Sequence, residues 1–487
     1  MRKLILVLFI LTSQVFYCKG ETTVSPLDYG LLNANNGEER FRALKRCHED
    51  AIKKNVGVSY AGIDTIYVTI PNRANSIPLS HYTDFAGATI VVTNDYKYFW
   101  LYSIKSKTTK IELSKSDLDK GNFRKIPELS TGEKLLIIQD DNPWILVRLG
   151  YKNSTPKIRK DVLLLKNGKA QNKTIAVYNN AYSSPSVTYA DINTERITVK
   201  NLNFIRSEES SEKTNLIDIR NTAHIQIENI TITTPQGKLN YSDAAFVIED
   251  CADLTMNDIT INGTYSDKGK DGYGIRLLNV YDTKINRLYA KCKWGVFGNY
   301  NVNKAILCDC DINRFDVHSY GRDFTFKRCR FTDFYNQFAS VYGTITFSNC
   351  YFENQIPFLQ ESTFNAFTPF ELMFSNCTFK LDKKHNYIVT LYGVPEVINE
   401  RPELSCKSLP NITLLNCEIH IPEDVQRWYL IESRGVKYKG TFDYVKRFKM
   451  KGVKVIGNAG AEFAISDEPL NTTNQVKMKT NLKYARE

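Results

Sequence analysis

The segment 314–323, RFDVHSYGRD, concentrates side chains that could carry out acid–base chemistry in a chain of 487 residues. Alternate side chains of an extended strand share one face and lie about 7 Å apart. If the Phe and Val in between face inward, Arg314, Asp316 and His318 form an outward row. In that row Asp316 could orient His318 and stabilise its charge, which predicts a catalytic site on this strand.

The same segment offers groups for recognising an acidic substrate. Arg314 or Arg322 could bind a carboxylate or sulfate through the planar guanidinium fork. His318 or Tyr320 could then remove the proton next to a carboxylate, while an acid protonates the departing oxygen. These are the parts of a lyase acting on a uronic acid. A surface His paired with Asp to close a turn is the alternative interpretation.

Residues upstream of this segment are candidates for substrate binding. The segment DKGKDGYGIRLLN (267–279) carries Asp271, Tyr273 and Arg276, and Lys293 lies between it and His318. On successive turns of one structure these side chains would line a groove for a polyanion. Solvated strand faces, in which Tyr is common as a strand former, are the alternative for each residue.

The sequence gives no local metal-binding pattern. Cys308 and Cys310 are too closely spaced for zinc ligation, and no loop has the acidic pattern of an EF-hand. A calcium site built from separate turns would leave no local pattern, so calcium stays open as a cofactor. The remaining histidines are expected to be structural or exposed: His48, His81, His224, His385 and His420.

A nine-residue repeat organises the middle of the chain. Nine segments superpose without gaps, at 196–204, 224–232, 253–261, 282–290, 304–312, 323–331, 344–352, 371–379 and 411–419. Positions 2 and 4, and then 7 and 9, are mostly apolar, which indicates a strand, a bend and a second strand. Such coils, stacked at the strand spacing of about 4.8 Å, predict an all-β parallel solenoid whose longer loops form a binding surface.

Positions 6 and 7 of the repeat have specific residue preferences. Position 6 is mostly Asn or Asp, which tolerate the left-handed backbone of a bend and can stack into a hydrogen-bonded ladder. We expect buried free thiols at position 7, with disulfides between adjacent coils as the alternative, because neighbouring strands suit disulfide geometry poorly. In the last five segments position 7 is Cys310, Cys329, Cys350, Cys377 and Cys417.

Both ends are expected to complete the solenoid. Residues 37–55 have a helical apolar stripe, with Asn36 as N-cap, and would cap the N-terminal mouth. Residues 96–190 hold strand-like runs without the repeat, and form either an elaborated start of the solenoid or a β-rich subdomain packed on it. We therefore divide the chain into a signal peptide (1–20), a cap and early β-region (21–190), regular coils carrying the site (191–420), and C-terminal coils with a loose basic tail (421–487).

The first 20 residues have the features of a secretory signal peptide. Arg2 and Lys3 precede the apolar run 4–11, which is too short to span a membrane. We expect cleavage after Gly20 and a secreted or periplasmic protein. Acylation of Cys18, giving a cell-surface lipoprotein, is the alternative.

Composition and charge limit the classes of partner that the chain could bind. With 42% hydrophobic residues the chain is not disordered, and no apolar run in the sequence is long enough to cross a bilayer. The formal charge is +11, or +8 after cleavage, from 61 basic and 53 acidic residues. This balance favours an anionic polysaccharide as partner. The signal peptide and the lack of a basic-aromatic module argue against nucleic acid.

Several segments resemble proteins of known fold. The segment 28–51, with DYG and NNGEERFRALKRCHEDA, resembles the start of many pectate-lyase-like right-handed parallel β-helix proteins. The segments 76–92, 140–153 and above all 293–331, with Arg-Phe-Asp-x-His, resemble a largely uncharacterised group of secreted bacterial β-helix proteins. The resemblance covers most of the mature chain. It implies a right-handed parallel β-helix and a polysaccharide-active enzyme, usually a lyase or glycosidase.

The chain departs from two better understood groups of this fold. It lacks the Gly-His-Gly of polygalacturonases, its only Asp-Asp pair (140–141) precedes the repeats, and it lacks the Arg-x-Pro-x-x-Arg of pectate lyases. The basic balance and the lack of an obvious carboxylate pair favour a lyase acting by β-elimination. A glycoside hydrolase would need two carboxylates in one cleft, for which Asp271, Asp316 and Asp323 are available. A non-catalytic glycan-binding protein is the third hypothesis.

Overall fold

The fold is described from a computed structural model of the chain. The predicted signal peptide, with Cys18, lies outside the described residues. These are 22–94, 99–140, 159–173, 185–206, 215–233, 244–262, 273–290, 298–319, 321–332, 335–338, 341–353, 356–360, 370–392, 411–434, 447–466 and 477–485.

The nine repeat segments form successive coils of a parallel β-helix. Equal positions of neighbouring segments pair with each other, as the ungapped superposition predicts. Phe448, in the strand Arg447–Gly457, continues the ladder of position-2 residues by one coil. All of these pairings are parallel, so the predicted all-β solenoid is confirmed. The ladder runs through Ile197, Ile225, Leu254, Thr283, Ala305, Phe324, Ile345, Leu372 and Ile412.

Each coil contributes to three faces. The first face holds repeat positions 1–5, the second face holds positions 7–9, and the third face holds the strands that precede each repeat. In the described residues one sheet of 24 strands comprises Thr23–Val24, Gly57–Ser59, Thr65–Val68, Ile77–Pro78, Tyr82–Asp84, Thr89–Val92, Trp100–Lys105, Ile197–Ile205, Asn215–Arg220, Ala223–Thr233, Ala244–Asn262, Tyr273–Ala290, Val302–Cys308, Asp311–Ile312, Arg322–Lys327, Arg330–Phe331, Tyr342–Ser348, Tyr351–Glu353, Phe370–Ser375, Thr378–Lys380, Asn411–Leu415, Glu418–Ile421, Arg447–Gly457 and Lys477–Ala485. The later third-face strands form a separate sheet: Gly298–Tyr300, Asp316–Ser319, Tyr335–Phe338, Ile356–Gln360, Tyr387–Tyr392, Arg427–Arg434 and Glu462–Ser466.

The bend between the first and second faces is left-handed, as predicted. All nine position-6 residues have φ between 50° and 61°. The Asn229 amide donates to Oδ1 of Asn201 at 2.9 Å, which is one step of the expected ladder. Where Arg287 replaces Asn, its guanidinium instead binds Asp258 of the preceding coil at 2.6 Å. Two further left-handed positions, between the third and first faces, were not predicted. One holds Asn221, Asp250, Asn279 and Asn301, and the other is repeat position 1, with His224, Asp253, Asp282, Lys304 and Asp323.

The predicted cysteine stack is buried and reduced. Cys310, Cys329, Cys350, Cys377 and Cys417 are free thiols with at most 2% exposure. Burial raises the pKa of Cys377 to about 12, and its Sγ donates to the Phe347 carbonyl at 3.5 Å. These thiols pack as small apolar side chains beside the bend, as expected from the repeat.

The N-terminal helix begins and ends close to the predicted bounds. It spans Gly37–Lys54, and the Asn36 side chain accepts a hydrogen bond from the Glu39 amide at 2.9 Å, as an N-cap does. Phe41 and Leu44 pack into the same hydrophobic core as the coils, so the helix covers the N-terminal mouth. His48 is fully buried against the Tyr60 hydroxyl, and burial lowers the pKa of its imidazole to about 3. It is structural, as expected.

Residues between the first coils form a separate antiparallel sheet that we call the side sheet. One of its faces has its own core, which includes Leu136 and Leu163. The other packs Val162 and Leu164 against Ala223 and Ala252 of the β-helix. Both expectations for residues 96–190 hold in part, because Trp100–Lys105 pairs with the coils while the side sheet is a β-rich subdomain packed on the solenoid. Its strands are Thr109–Ile111, Glu133–Asp140, Arg159–Lys166, Lys169–Ala170 and Pro185–Ile192.

The C-terminal segment differs from its prediction. Instead of a loose tail, the strand Lys477–Ala485 pairs in parallel with Arg447–Gly457 and adds a coil. Met478 and Tyr484 stand at register positions opposite buried Phe448 and Val455, so the sequence alternation of the preceding strand is repeated here. The basic residues between them obscured this pattern in the sequence.

Two helices besides short turns occur in the described residues, Gly37–Lys54 and Lys115–Lys120. Single-turn 3-10 helices lie at Pro26–Tyr29 and Pro127–Leu129. Within the described part of the chain, no helix is long and apolar enough to cross a membrane.

Candidate functional site

The segment singled out by its chemistry lies on the third face, but not as an open row. Phe315 and Val317 face the core, as predicted, with 1% and 0% exposure. Arg314 and Asp316 are also buried, at 3% and 0%, and their side chains form an ion pair at 2.6 Å. The expectation that these two charges line an open groove is therefore wrong.

Arg322 is likewise buried, because the side sheet covers it. Its guanidinium donates to the Lys173 carbonyl at 2.8 Å and lies 3.7 Å from Oδ1 of Asp161. Only 1% of Arg322 is exposed. This contradicts the expected fork for a substrate carboxylate, since the guanidinium faces the side sheet.

The remaining predicted site residues are only partly described. Tyr320, Asp271 and Lys293 lie outside the described residues. His318 and Tyr273 lie in the strands Asp316–Ser319 and Tyr273–Ala290, and their side chains are likewise outside the description.

Two further candidates have a defined place in the fold. Arg276 is half-buried and pairs in register with Val247 on the third face. Asp323 occupies a left-handed bend, and its carboxylate accepts from the Thr344 amide at 3.1 Å, which is a structural role. The catalytic and binding roles of the predicted set stay predictions.

A group of six charged side chains that sequence reasoning missed lies earlier on the third face. We call it the charged cluster. Its three acids and three bases come from neighbouring coils and from the side sheet: Asp218, Glu249, Asp250, Lys105, Arg220 and Lys160.

Arg220 joins two carboxylates from successive coils. Its guanidinium binds Asp218 at 2.8 Å through Nε and Glu249 at 2.7 Å through a terminal nitrogen. Lys105 of the preceding coil binds Asp218 at 2.7 Å. The Lys105 and Arg220 side chains are 49% and 38% exposed, whereas that of Asp218 is only 4% exposed. The cluster is therefore open to solvent on its cationic side.

The side sheet completes the cluster. Lys160 reaches Glu249 at 3.0 Å and Asp250 at 3.5 Å. Asn279 of the next coil donates to Asp250 at 2.7 Å. Burial raises the pKa of Asp250, Lys160 and Asn279 oppose that rise, and the nearby Glu249 charge adds to it. A carboxyl with a raised pKa next to other carboxylates is suited to hold and deliver a proton.

The sequence contained a signal for this cluster just outside the repeat. The strands Asn215–Arg220 and 244–249 precede two repeat segments, and the ungapped alignment stopped short of them. Their register pairs Asp218 with Val247 and Arg220 with Glu249. Extending the alignment about ten residues upstream would have brought these charges to neighbouring positions.

His224 forms a second link between the side sheet and the coils. Its Nδ1 lies 2.8 Å from Asp253 and its Nε2 lies 2.6 Å from Glu133 of the side sheet. The hydrogen bond with Asp253 is the largest cause that raises the pKa of His224. Arg196 and Lys166 pair in turn with the two carboxylates, at 2.9 and 3.5 Å. This is the structural role expected for His224.

The described residues do not fit a calcium site. Among them, no group of three or more His, Cys, Asp or Glu side chains could hold a metal ion. The three acids of the charged cluster are each bound by a lysine or arginine, whereas calcium needs six to eight oxygen ligands.

Comparisons with known proteins find similarity in structure only. No family model and no curated protein matches the chain. The tailspike protein gp49 from Pseudomonas phage LKA1 is 11% identical with a TM-score of 0.53, covering 94% of this chain and 81% of that one. The gp54 tailspike of Acinetobacter baumannii bacteriophage AP22, solved in complex with a capsular saccharide, is 9% identical with a TM-score of 0.51, covering 94% and 79%. Both are right-handed parallel β-helix proteins, so the likeness shows the fold.

Proposed function

We propose that this chain, a right-handed parallel β-helix consistent with the pectate-lyase-like superfamily, is a secreted enzyme that hydrolyses a polysaccharide at the charged cluster. The observation that carries the proposal is the convergence of Asp218, Glu249 and Asp250 on one outer face of successive coils. Hydrolysis of a glycosidic bond needs one carboxylic acid and one carboxylate close together. The similarity to a tailspike solved with a capsular saccharide supports a polysaccharide as substrate.

The raised pKa of Asp250 assigns it the role of proton donor to the departing sugar oxygen. Asp218 or Glu249 would activate the attacking water or attack the sugar directly. Arg220 holds these two carboxylates within reach of one guanidinium, which fixes their relative position. The exposed sides of Lys105 and Arg220 would face the polymer and bind its hydroxyl or acidic groups.

The carboxyl groups of the cluster favour hydrolysis over the lyase chemistry expected from the sequence. Hydrolysis needs a carboxylic acid and a carboxylate close together, and Lys160 bridges Asp250, whose pKa is raised, to Glu249. Elimination at His318 is the second candidate, supported by its place on the third-face strand Asp316–Ser319.

The experiment is a screen of capsular and uronate-containing polysaccharides with the mature chain. New reducing ends without ultraviolet absorbance would support hydrolysis. An unsaturated, absorbing product that disappears in His318→Ala would establish the lyase instead. Asp250→Asn and Glu249→Gln should each lower hydrolysis by about 100-fold or more. Asp258→Asn, on the same strand but at the opposite bend, is the matched control and should retain activity.

Secretion and surface attachment remain part of this proposal. The signal peptide would deliver the enzyme to polysaccharides outside the cell, either free or anchored through Cys18. Mass spectrometry of the exported protein would distinguish cleavage after Gly20 from an acylated Cys18 at the N-terminus.

A further inference from the structure

A cavity of about 520 Å³ lies in the side sheet, apart from the charged cluster. It forms where the end of the short helix Lys115–Lys120 meets the hairpin of Arg159–Lys166 and Lys169–Ala170. Leu118 and Leu163, both nearly fully buried, provide apolar surface. The volume suits a small organic molecule such as one or two sugar rings. We call it the basic pocket.

Four basic side chains and no acidic one are found among the described residues that line the pocket. They are Lys120, Arg124, Lys169 and Lys173, each exposed to solvent. In the part of the chain that the structure describes, none of the four forms an ion pair. Elsewhere on the same sheet, cations do pair with acids, as Lys166 does with Glu133 at 3.5 Å. Four converging cations repel one another, and a bound anion would relieve that repulsion.

The backbone holds these cations at fixed positions. The Phe123 amide donates to the Gly168 carbonyl at 2.7 Å, and Asn122 pairs with Lys169 in a β-bridge. Gly168 has φ of 70°, and a Cβ there would lie 2.8 Å from the Arg124 Cα. The close approach permitted by this glycine brings the turn bearing Arg124 against the hairpin bearing Lys169.

The pocket is also fixed to the β-helix. Asn172 accepts from the Leu164 amide at 3.0 Å and donates to the Val162 carbonyl at 2.7 Å, which holds the end of its strand. The next residue, Lys173, accepts from buried Arg322 through its carbonyl at 2.8 Å. A ligand in the pocket would therefore sit at a defined place relative to the coils.

We propose that the basic pocket binds an acidic saccharide unit through its carboxylate, with Arg124, Lys120, Lys169 and Lys173 as the recognising side chains. Guanidinium and ammonium groups bind carboxylates through charge-assisted hydrogen bonds. The choice of a saccharide over another carboxylate rests on the proposed function. The site itself does not, because it shares no residue with the charged cluster.

The test measures binding of D-glucuronate, D-glucose and inorganic sulfate to the mature chain by titration calorimetry. The double variant Arg124→Gln/Lys169→Gln should lose about tenfold or more in glucuronate affinity, since two charge-assisted contacts disappear. The matched control is Lys107→Gln/Lys125→Gln, which removes the same charge from exposed positions outside the pocket lining. It should change affinity less than about twofold.

The outcomes separate this site from the catalytic proposal. Asp250→Asn should bind glucuronate as the wild type does, even if cleavage is lost. Equal losses of glucuronate affinity in both double variants would contradict the proposed pocket, since they would show a diffuse charge effect. Failure to bind glucuronate would also overturn it, and sulfate bound as tightly as glucuronate would overturn the saccharide assignment. Glucuronate binding without any turnover would refute the proposed hydrolase and leave the pocket standing.

Discussion

His224 shows how one residue joins two parts of the molecule through charge. The imidazole lies between Asp253 of the next coil and Glu133 of the side sheet. Both carboxylates stabilise the protonated ring, and the pKa of His224 is raised above 6.5 despite partial burial. The protonated form therefore contributes to holding the side sheet against the coils.

This raised pKa predicts a fall in stability as the pH rises. The contribution of His224 is fully present below its ordinary pKa of 6.5 and is lost as the pH rises through the raised folded-state value. The free energy of unfolding should therefore decrease above pH 6.5, and His224→Gln should remove that part of the dependence. Denaturation midpoints across this range measure it. The charged groups facing the ring or its partners are Glu133, Asp253, Arg196, Lys166 and Lys284.

The control for this prediction is another histidine. His81→Gln removes a histidine that has no ion pair in the described part of the chain, so it measures the effect of the substitution itself where no ion pair is lost. If His224→Gln retains the full pH dependence, the ring does not titrate as the geometry indicates.

Single side chains were the least predictable feature from sequence. The alternation that places Phe315 and Val317 in the core was correctly predicted. That Arg314 and Asp316 are buried could not be predicted, because strand periodicity says which face a residue takes but not what covers that face. Arg322 shows one such cover, since Lys173 and Asp161, about 150 residues earlier in the chain, lie against it.

At the scale of elements, the bend residues set the geometry of each coil. All nine position-6 residues are left-handed, which costs an ordinary L-residue about 1–2 kcal/mol. Asn reduces this cost through local hydrogen bonding and adds a hydrogen bond to the preceding coil, as Asn229 does to Asn201. The Asn ladder is therefore a preference of the backbone reinforced by side-chain contacts.

Substitutions at Asn229 should separate these two contributions. Asn229→Ala loses both the tolerance of the left-handed bend and the hydrogen bond, and should destabilise the protein by about 1–2 kcal/mol. Asn229→Gly keeps the permissive backbone and loses only the hydrogen bond, so its cost should be smaller. Urea denaturation of the three proteins measures the difference. If Asn229→Ala and Asn229→Gly lose the same free energy of unfolding, the left-handed bend does not restrict which residue can occupy it.

The repeat predicted the strands well because the same apolar residues set both the spacing of the coils and the pairing of their strands. An inward-facing apolar residue at position 2 aligns each strand with its neighbour, which is why the ladder continues to Phe448. The left-handed residues at repeat position 1 escaped prediction because they are more varied, and include His224, Lys304 and Asp323. The side sheet escaped because antiparallel runs such as Glu133–Asp140 carry no repeat.

At the scale of the whole molecule, the side sheet converts a regular solenoid into one with distinct sites. Its strand Arg159–Lys166 carries Lys160 to the charged cluster and Asp161 to Arg322. The opposite end of the same subdomain forms the basic pocket. Docking of the side sheet is therefore a condition for the proposed hydrolysis, and its apolar contact with Ala223 and Ala252 is the place to test it.

Ala252→Lys should release the side sheet while leaving the coils folded. Ala252 is fully buried between the side sheet and the coils, and an unpaired charge there costs several kcal/mol. We expect faster amide hydrogen exchange in Arg159–Lys166, unchanged exchange in Asn411–Leu415, and loss of polysaccharide cleavage as Lys160 leaves the cluster. Thr260→Lys places the same charge on the same strand at a half-buried second-face position, and should change none of these. If Ala252→Lys keeps full protection of Arg159–Lys166, the side sheet is held by its ion pairs rather than by this apolar contact.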